Sequence, residues 1–128
     1  GQIPPEIFTP TMQNFDVGDN ALVGTIPPEL YTVSENLLNI RISDNRLTGT
    51  LPRGLGDYPA LSSFSAKNNT LTGTLPGEII SDTLETLDVG TNRLRGEIPR
   101  EMYMFGTSLK FVNLGINDFD GTISTSFG

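Results

Sequence analysis

Apolar residues recur along this chain in a fixed relation to asparagine. At eight, five and three residues before each of five asparagines stand Met12-Phe15-Val17, Leu37-Ile40-Ile42, Leu61-Phe64-Ala66, Leu84-Leu87-Val89 and Leu109-Val112-Leu114. Two residues after each asparagine comes Leu22, Leu47, Leu71, Leu94 or Phe119. One outward residue separates the last two members of each triplet, which is the alternation of a short half-buried strand. The spacing therefore predicts strands near 15–17, 40–42, 64–66, 87–89 and 112–114. Only Ala66 is undersized for its inward position.

The asparagines, Asn20, Asn45, Asn69, Asn92 and Asn117, each precede a glycine by four residues. Glycine followed two residues later by Ile or Leu occurs at Gly1, Gly24, Gly49, Gly73, Gly96 and Gly121, with spacings of 23, 25, 24, 23 and 25. Proline follows in five of the six, at Pro4, Pro27, Pro52, Pro76 and Pro99, and Ser124 stands in the sixth. A period in this range is the mark of a solenoid whose coils bury their apolar faces only against one another.

These residues resemble the leucine-rich repeat family, in its plant-type pattern LxxLxLxxNxLxGxIPxxL. The resemblance covers the chain as five asparagine-centred coils and an incomplete lead-in. It departs from the pattern in its uneven convex lengths, in Asp82 near an apolar position, and in lacking cysteine-bearing caps. It implies an α/β-type repeat solenoid, right-handed, with a parallel β-sheet on the concave face. Short 3₁₀ or irregular turns are expected on the convex side, around 28–33 and 77–81. Residues 1–128 form a single array, read as a segment of a longer chain or one whose ends other protein covers.

Stacked coils place the strands as parallel neighbours at roughly 4.7–4.9 Å. An inward asparagine amide can donate to and accept from backbone groups of adjacent coils, whereas aspartate could only accept. The five asparagines are therefore assigned to a structural ladder. Asn69→Ala is expected to destabilise and Asn68→Ala to be nearly neutral.

Recognition in a solenoid belongs to outward positions of the concave sheet. The column four residues before each asparagine reads Asp16, Arg41, Ser65, Asp88 and Asn113. Two before, it reads Gly18, Ser43, Lys67, Gly90 and Gly115, whose glycines would let a ligand backbone approach. Six before are Asn14, Asn39, Ser63, Thr86 and Phe111; one before are Asp19, Asp44, Asn68, Thr91 and Ile116. The candidate binding residues are Asp16, Asn39, Arg41, Ser65, Lys67, Asp88, Phe111, Asn113 and Ile116. Phe111 and Ile116 break otherwise polar columns, and exposed aromatic anchors are enriched where partners dock.

Composition narrows the chemistry. Eight basic against fifteen acidic residues give a net charge of −7, which argues against nucleic acid and anionic membrane surfaces. The chain has no Cys and no His, so disulfides, zinc sites and Cys- or His-based catalysis are absent. No stretch is long and apolar enough for a membrane span. Asp19 and Asp44 fall on neighbouring strands, but an open sheet offers no pocket for catalysis; a calcium ion between them, or carboxylates relieved by Arg46, are the alternatives.

Threonines at 25, 48, 50, 72, 74 and 122 form partial columns, which raises ice or carbohydrate binding along that edge. Asn68-Asn69-Thr70 matches a glycosylation sequon. The reading is a non-enzymatic module that needs no cofactor or metal and binds a protein or peptide on its concave face. The resemblance implies an extracellular or cell-surface setting. The alternative is an architectural segment docking laterally in a larger assembly.

Overall fold

The computed structural model describes residues 1–120. The expected repeat elements at Gly121, Thr122, Ile123 and Ser124 lie outside them. Five three-residue strands, Asn14–Asp16, Asn39–Arg41, Ser63–Ser65, Thr86–Asp88 and Phe111–Asn113, form one parallel sheet in chain order. Register runs straight across it, Phe15 opposite Ile40, then Phe64, Leu87 and Val112. Each strand begins and ends one residue earlier than the sequence predicts. The ladder nonetheless continues past the strands, since the Ile42 N–H donates to the Ser65 carbonyl at 2.8 Å and the Ala66 N–H to the Asp88 carbonyl at 2.8 Å.

The asparagine ladder joins each coil to the one before. Asn69 Oδ1 accepts from the Leu47 N–H at 3.0 Å, while Nδ2 donates to the Ile42 carbonyl of the preceding coil and the Ala66 carbonyl of its own. Asn45, Asn92 and Asn117 repeat the same geometry. Asn20 has no described coil before it in this register and donates only to its own Val17 and Gly18 carbonyls, remaining exposed.

A second set of short parallel pairings runs along one flank, at Val23–Gly24 with Arg46–Leu47, Thr50 with Thr72, Thr74 with Arg95, and Arg95–Gly96 with Asp118–Phe119. The glycines of this flank are needed twice over. Gly49 and Gly73 hold φ of 84° and 78°, and a Cβ there would lie 2.8 Å from the Thr25 and Thr50 methyls of the preceding coil. The threonine column is thus a methyl-over-glycine interlock.

The convex side carries 3₁₀ turns at Pro5–Ile7, Arg53–Asp57 and Gly77–Ile79, and short α-helices at Glu29–Thr32 and Glu101–Met104. Between the sheets lies one continuous core, with Leu37, Ile40, Leu61, Phe64, Leu84 and Leu87 fully or almost fully buried. Asp82 is exposed, while the isoleucines before it, Ile79 and Ile80, face the core.

Candidate functional site

The concave sheet turns its outward columns into two unlike halves. In the first, Arg41 lies among three carboxylates: Asp16 at 3.0 Å, Asp19 at 2.9 Å and Asp44 at 3.6 Å. Arg41 therefore relieves the Asp19–Asp44 repulsion, not Arg46, and it occupies the space between the two carboxylates considered for calcium. Around this cage Asn39 donates to Asn14 at 2.6 Å and Asn68 to Asp44 at 2.9 Å. Asp16, Asn39 and Arg41 are thus brought together, but each already has an internal partner.

The same contacts change the meaning of the glycines. A Cβ at Gly18 would lie 1.8 Å from an Arg41 guanidinium nitrogen, and one at Gly90 would lie 2.5 Å from Asn113 Nδ2. These positions stay bare because a side chain of the next coil lies across them, which corrects the expectation of ligand access. The Asp16, Asp88 and Asn113 side chains also accept from the Gly18, Gly90 and Gly115 N–H groups at 2.9, 3.1 and 3.0 Å. Acidic or amide residue and glycine two positions later form one local turn.

Asp16 titrates below the ordinary carboxylate range, mainly because the Gly18 N–H donates to it, with Arg41 adding to the shift against a desolvation effect. Arg41 is held above its ordinary value by Asp19 and Asp16. A carboxyl depressed in the folded state stabilises above its unfolded pKa, near 4, and that contribution disappears as pH falls through the folded value. The Asp16–Arg41 contact should persist at neutral pH and be lost only as pH falls through the lowered Asp16 value. Asp16→Asn should accordingly show a shallower loss of stability than the parent in urea titrations taken from pH 5 downward.

The column immediately before the ladder is set by backbone conformation. Asp19, Asp44 and Asn68 have φ of 59°, Thr91 of 53° and Ile116 of 51°. Asp and Asn tolerate this left-handed region, whereas a β-branched side chain there is strained. Their recurrence is turn chemistry. Asn68→Ala should therefore cost about 1 kcal/mol instead of being neutral, and Ile116→Asn should raise stability by about 1 kcal/mol, both read as shifts of the unfolding midpoint.

The other half of the face is open. Ser65 shares a hydroxyl–hydroxyl bond with Ser43 at 2.5 Å, while Lys67 is exposed and has no ion pair among the described residues. On the fifth strand of the concave sheet Phe111 is 52% exposed, and Ile116 in the following turn is 78% exposed. Asn113 and half-buried Asp88 lie beside them in register. Outside this face, Tyr103, Met104 and Phe105 form a second exposed apolar group on the convex helix, which sequence reasoning missed because helix positions there carry no repeat pattern. Among the described residues no group of three or more His, Cys, Asp or Glu side chains could hold a metal, and no helix is long and apolar enough to cross a membrane.

Known proteins share both the sequence pattern and the fold. The Leucine Rich Repeat family profile matches residues 36–58. Receptor-like protein 32 of Arabidopsis thaliana is 32% identical over 120 residues, covering 90% of this chain and 14% of that protein. Receptor-like protein 18 of the same plant is 29% identical over 117 residues, covering 91% and 14%. The chain thus spans about one seventh of these relatives. Among solved structures, a chain in the complex of the Arabidopsis receptor kinase HAESA with the peptide hormone IDA and the co-receptor SERK1 superimposes with a TM-score of 0.87 at 34% identity, over 95% of this chain and 20% of that one. A chain of the Arabidopsis BIR3–SERK2 complex gives 0.80 at 28% identity, over 87% and 59%.

Proposed function

Because this chain belongs to the leucine-rich repeat family, we propose that it is a recognition module, not an enzyme, which binds a protein or peptide on its concave face in an extracellular or cell-surface receptor. The observation that carries the reading is the exposed apolar group of Phe111, Val112 and Ile116 in the fifth coil, beside outward columns that are polar in the other four. Phe111 supplies an apolar anchor and Lys67 a charge with no ion pair among the described residues, while Asn113, Asp88 and Ser65 orient a bound backbone through the hydrogen-bonding capacity left beyond their internal partners. The Arg41 cage contributes rigidity at the other end of the face, since its groups are already partnered. The peptide hormone in the HAESA complex is a ligand of the class this reading calls for.

The exposed Tyr103–Phe105 group supports the second reading, lateral docking of the convex side in a larger assembly. A random peptide library displayed on phage and selected on the protein separates the two. Selected peptides should lose ten- to a hundredfold in affinity with Phe111→Ala, about 1–3 kcal/mol, with little change in the unfolding midpoint. Peptides sensitive to Met104→Ala and Phe105→Ala, but not to Phe111→Ala, would favour lateral docking.

A further inference from the structure

The three methionines of the chain sit in unlike places. Met12 is half-buried against the core, and Met102 is buried at 4% exposed. Met104, two residues further along the same helical turn, is 53% exposed. Its exposure follows from the geometry of the convex turns. Leu30 and Ile79 are the buried residues of the turns at Glu29–Thr32 and Gly77–Ile79, as Met102 is of its own. Two positions after them stand the exposed Thr32 and the half-buried Ser81, although a following coil packs on both turns. Met104 thus places a thioether at a solvent-facing position where those turns carry a hydroxyl.

The surroundings of Met104 are apolar and open. Tyr103 is 36% and Phe105 52% exposed beside it. A cleft of about 320 Å³ separates Met104 and Phe105 from Ile80, Ser81 and Asp82 of the preceding coil. A small oxidant can therefore reach the sulfur from solvent, and the chain has no cysteine thiol to compete for it.

We propose that Met104 is a redox modification site, which a peroxide converts to the sulfoxide while the fold stays intact. The sulfur lone pair attacks one peroxide oxygen, the S–O bond forms and the O–O bond breaks. The departing hydroxide takes a proton and leaves as water; sulfur is oxidised by two electrons and the peroxide is reduced by two. The product replaces a flexible apolar side chain by a polar one at the centre of the Tyr103–Phe105 group. At Met102 the same change would set a polar S=O inside the core, and burial there withholds the sulfur from the oxidant. The modification stands apart from concave-face recognition, and its consequence falls on the convex group alone.

The test is timed exposure of the whole chain to hydrogen peroxide, followed by mass spectrometry with fragment ions that separate Met102 from Met104. Met104 should oxidise about tenfold faster than Met102, and nearly as fast as it does in the urea-unfolded chain. Protein oxidised at Met104 should keep its unfolding midpoint but bind less strongly to a phenyl resin. Treatment with the two methionine sulfoxide reductases should restore retention. Met104→Leu, exposed to peroxide for the same interval, should keep both midpoint and retention. Equal oxidation rates at Met102 and Met104, a lowered midpoint on oxidation of Met104, or unchanged retention would overturn the proposal. Peptide selection on the concave face reads independently of each of these results.

Discussion

Replacing Asn92 by alanine should lower stability by about 2–3 kcal/mol, the most of any ladder position, measured as the urea midpoint at unchanged slope. Asn92 is the most buried of the five, at 8% exposed. Its Oδ1 accepts from the Leu71 N–H at 3.0 Å, and its Nδ2 lies 3.0–3.2 Å from the Ala66, Val89 and Gly90 carbonyls. Truncation leaves these groups without the amide in a place water reaches poorly. Asn92→Asp should be no better, because it keeps the acceptor but sets a carboxylate against three carbonyl oxygens. Asn20→Ala should cost less than about 0.5 kcal/mol, since Asn20 makes only bonds within its own coil and is exposed. Equal losses at positions 20 and 92 would mean that the asparagine acts through local turn preference and does not clamp adjacent coils.

The largest effect belongs to the core of the middle coil. Phe64→Ala should cost about 3–5 kcal/mol, because Phe64 is fully buried and lies in register between Ile40 and Leu87. Its size also explains Ala66. Both side chains point inward from the same coil, where the neighbouring coils hold Ile40 with Ile42 and Leu87 with Val89. The large Phe64 makes up part of the volume that the small Ala66 lacks. Phe64→Leu alone should open a void, and Ala66→Val alone should overpack. The double variant, which copies coil four, should recover about 1 kcal/mol relative to the sum of the singles in a double-mutant cycle.

Phe64 and Ala66 also mark how far the chain could be read without coordinates. The inward triplets and the asparagine spacing located the coils, because each position faces the same environment in every coil and leaves a periodic trace. Contacts between side chains of successive coils leave no such trace. Arg41 occurs once, and its reach to Asp16, Asp19 and Asp44 depends on three separate backbone positions meeting across two coils. The glycines at 18 and 90 looked like openings for a ligand because the side chain that covers each belongs to the next coil. Asp and Asn before the ladder asparagine are a legible sign of left-handed backbone, although the same column also lies on the outward face where binding residues are expected. Phe111 and Ile116 stood out as apolar residues in polar columns, and both are exposed as that contrast implied.

The most direct measurement of concave-face recognition is photo-crosslinking from a peptide selected on the protein, with a benzophenone amino acid scanned along it and the attachment sites mapped by mass spectrometry. The account predicts attachment around Phe111, Asn113 and Ile116, with further sites toward Asp88 and Lys67 as the probe moves along the peptide. Attachment concentrated at Tyr103, Met104 and Phe105 on the convex helix, with the concave strands unlabelled, would contradict it.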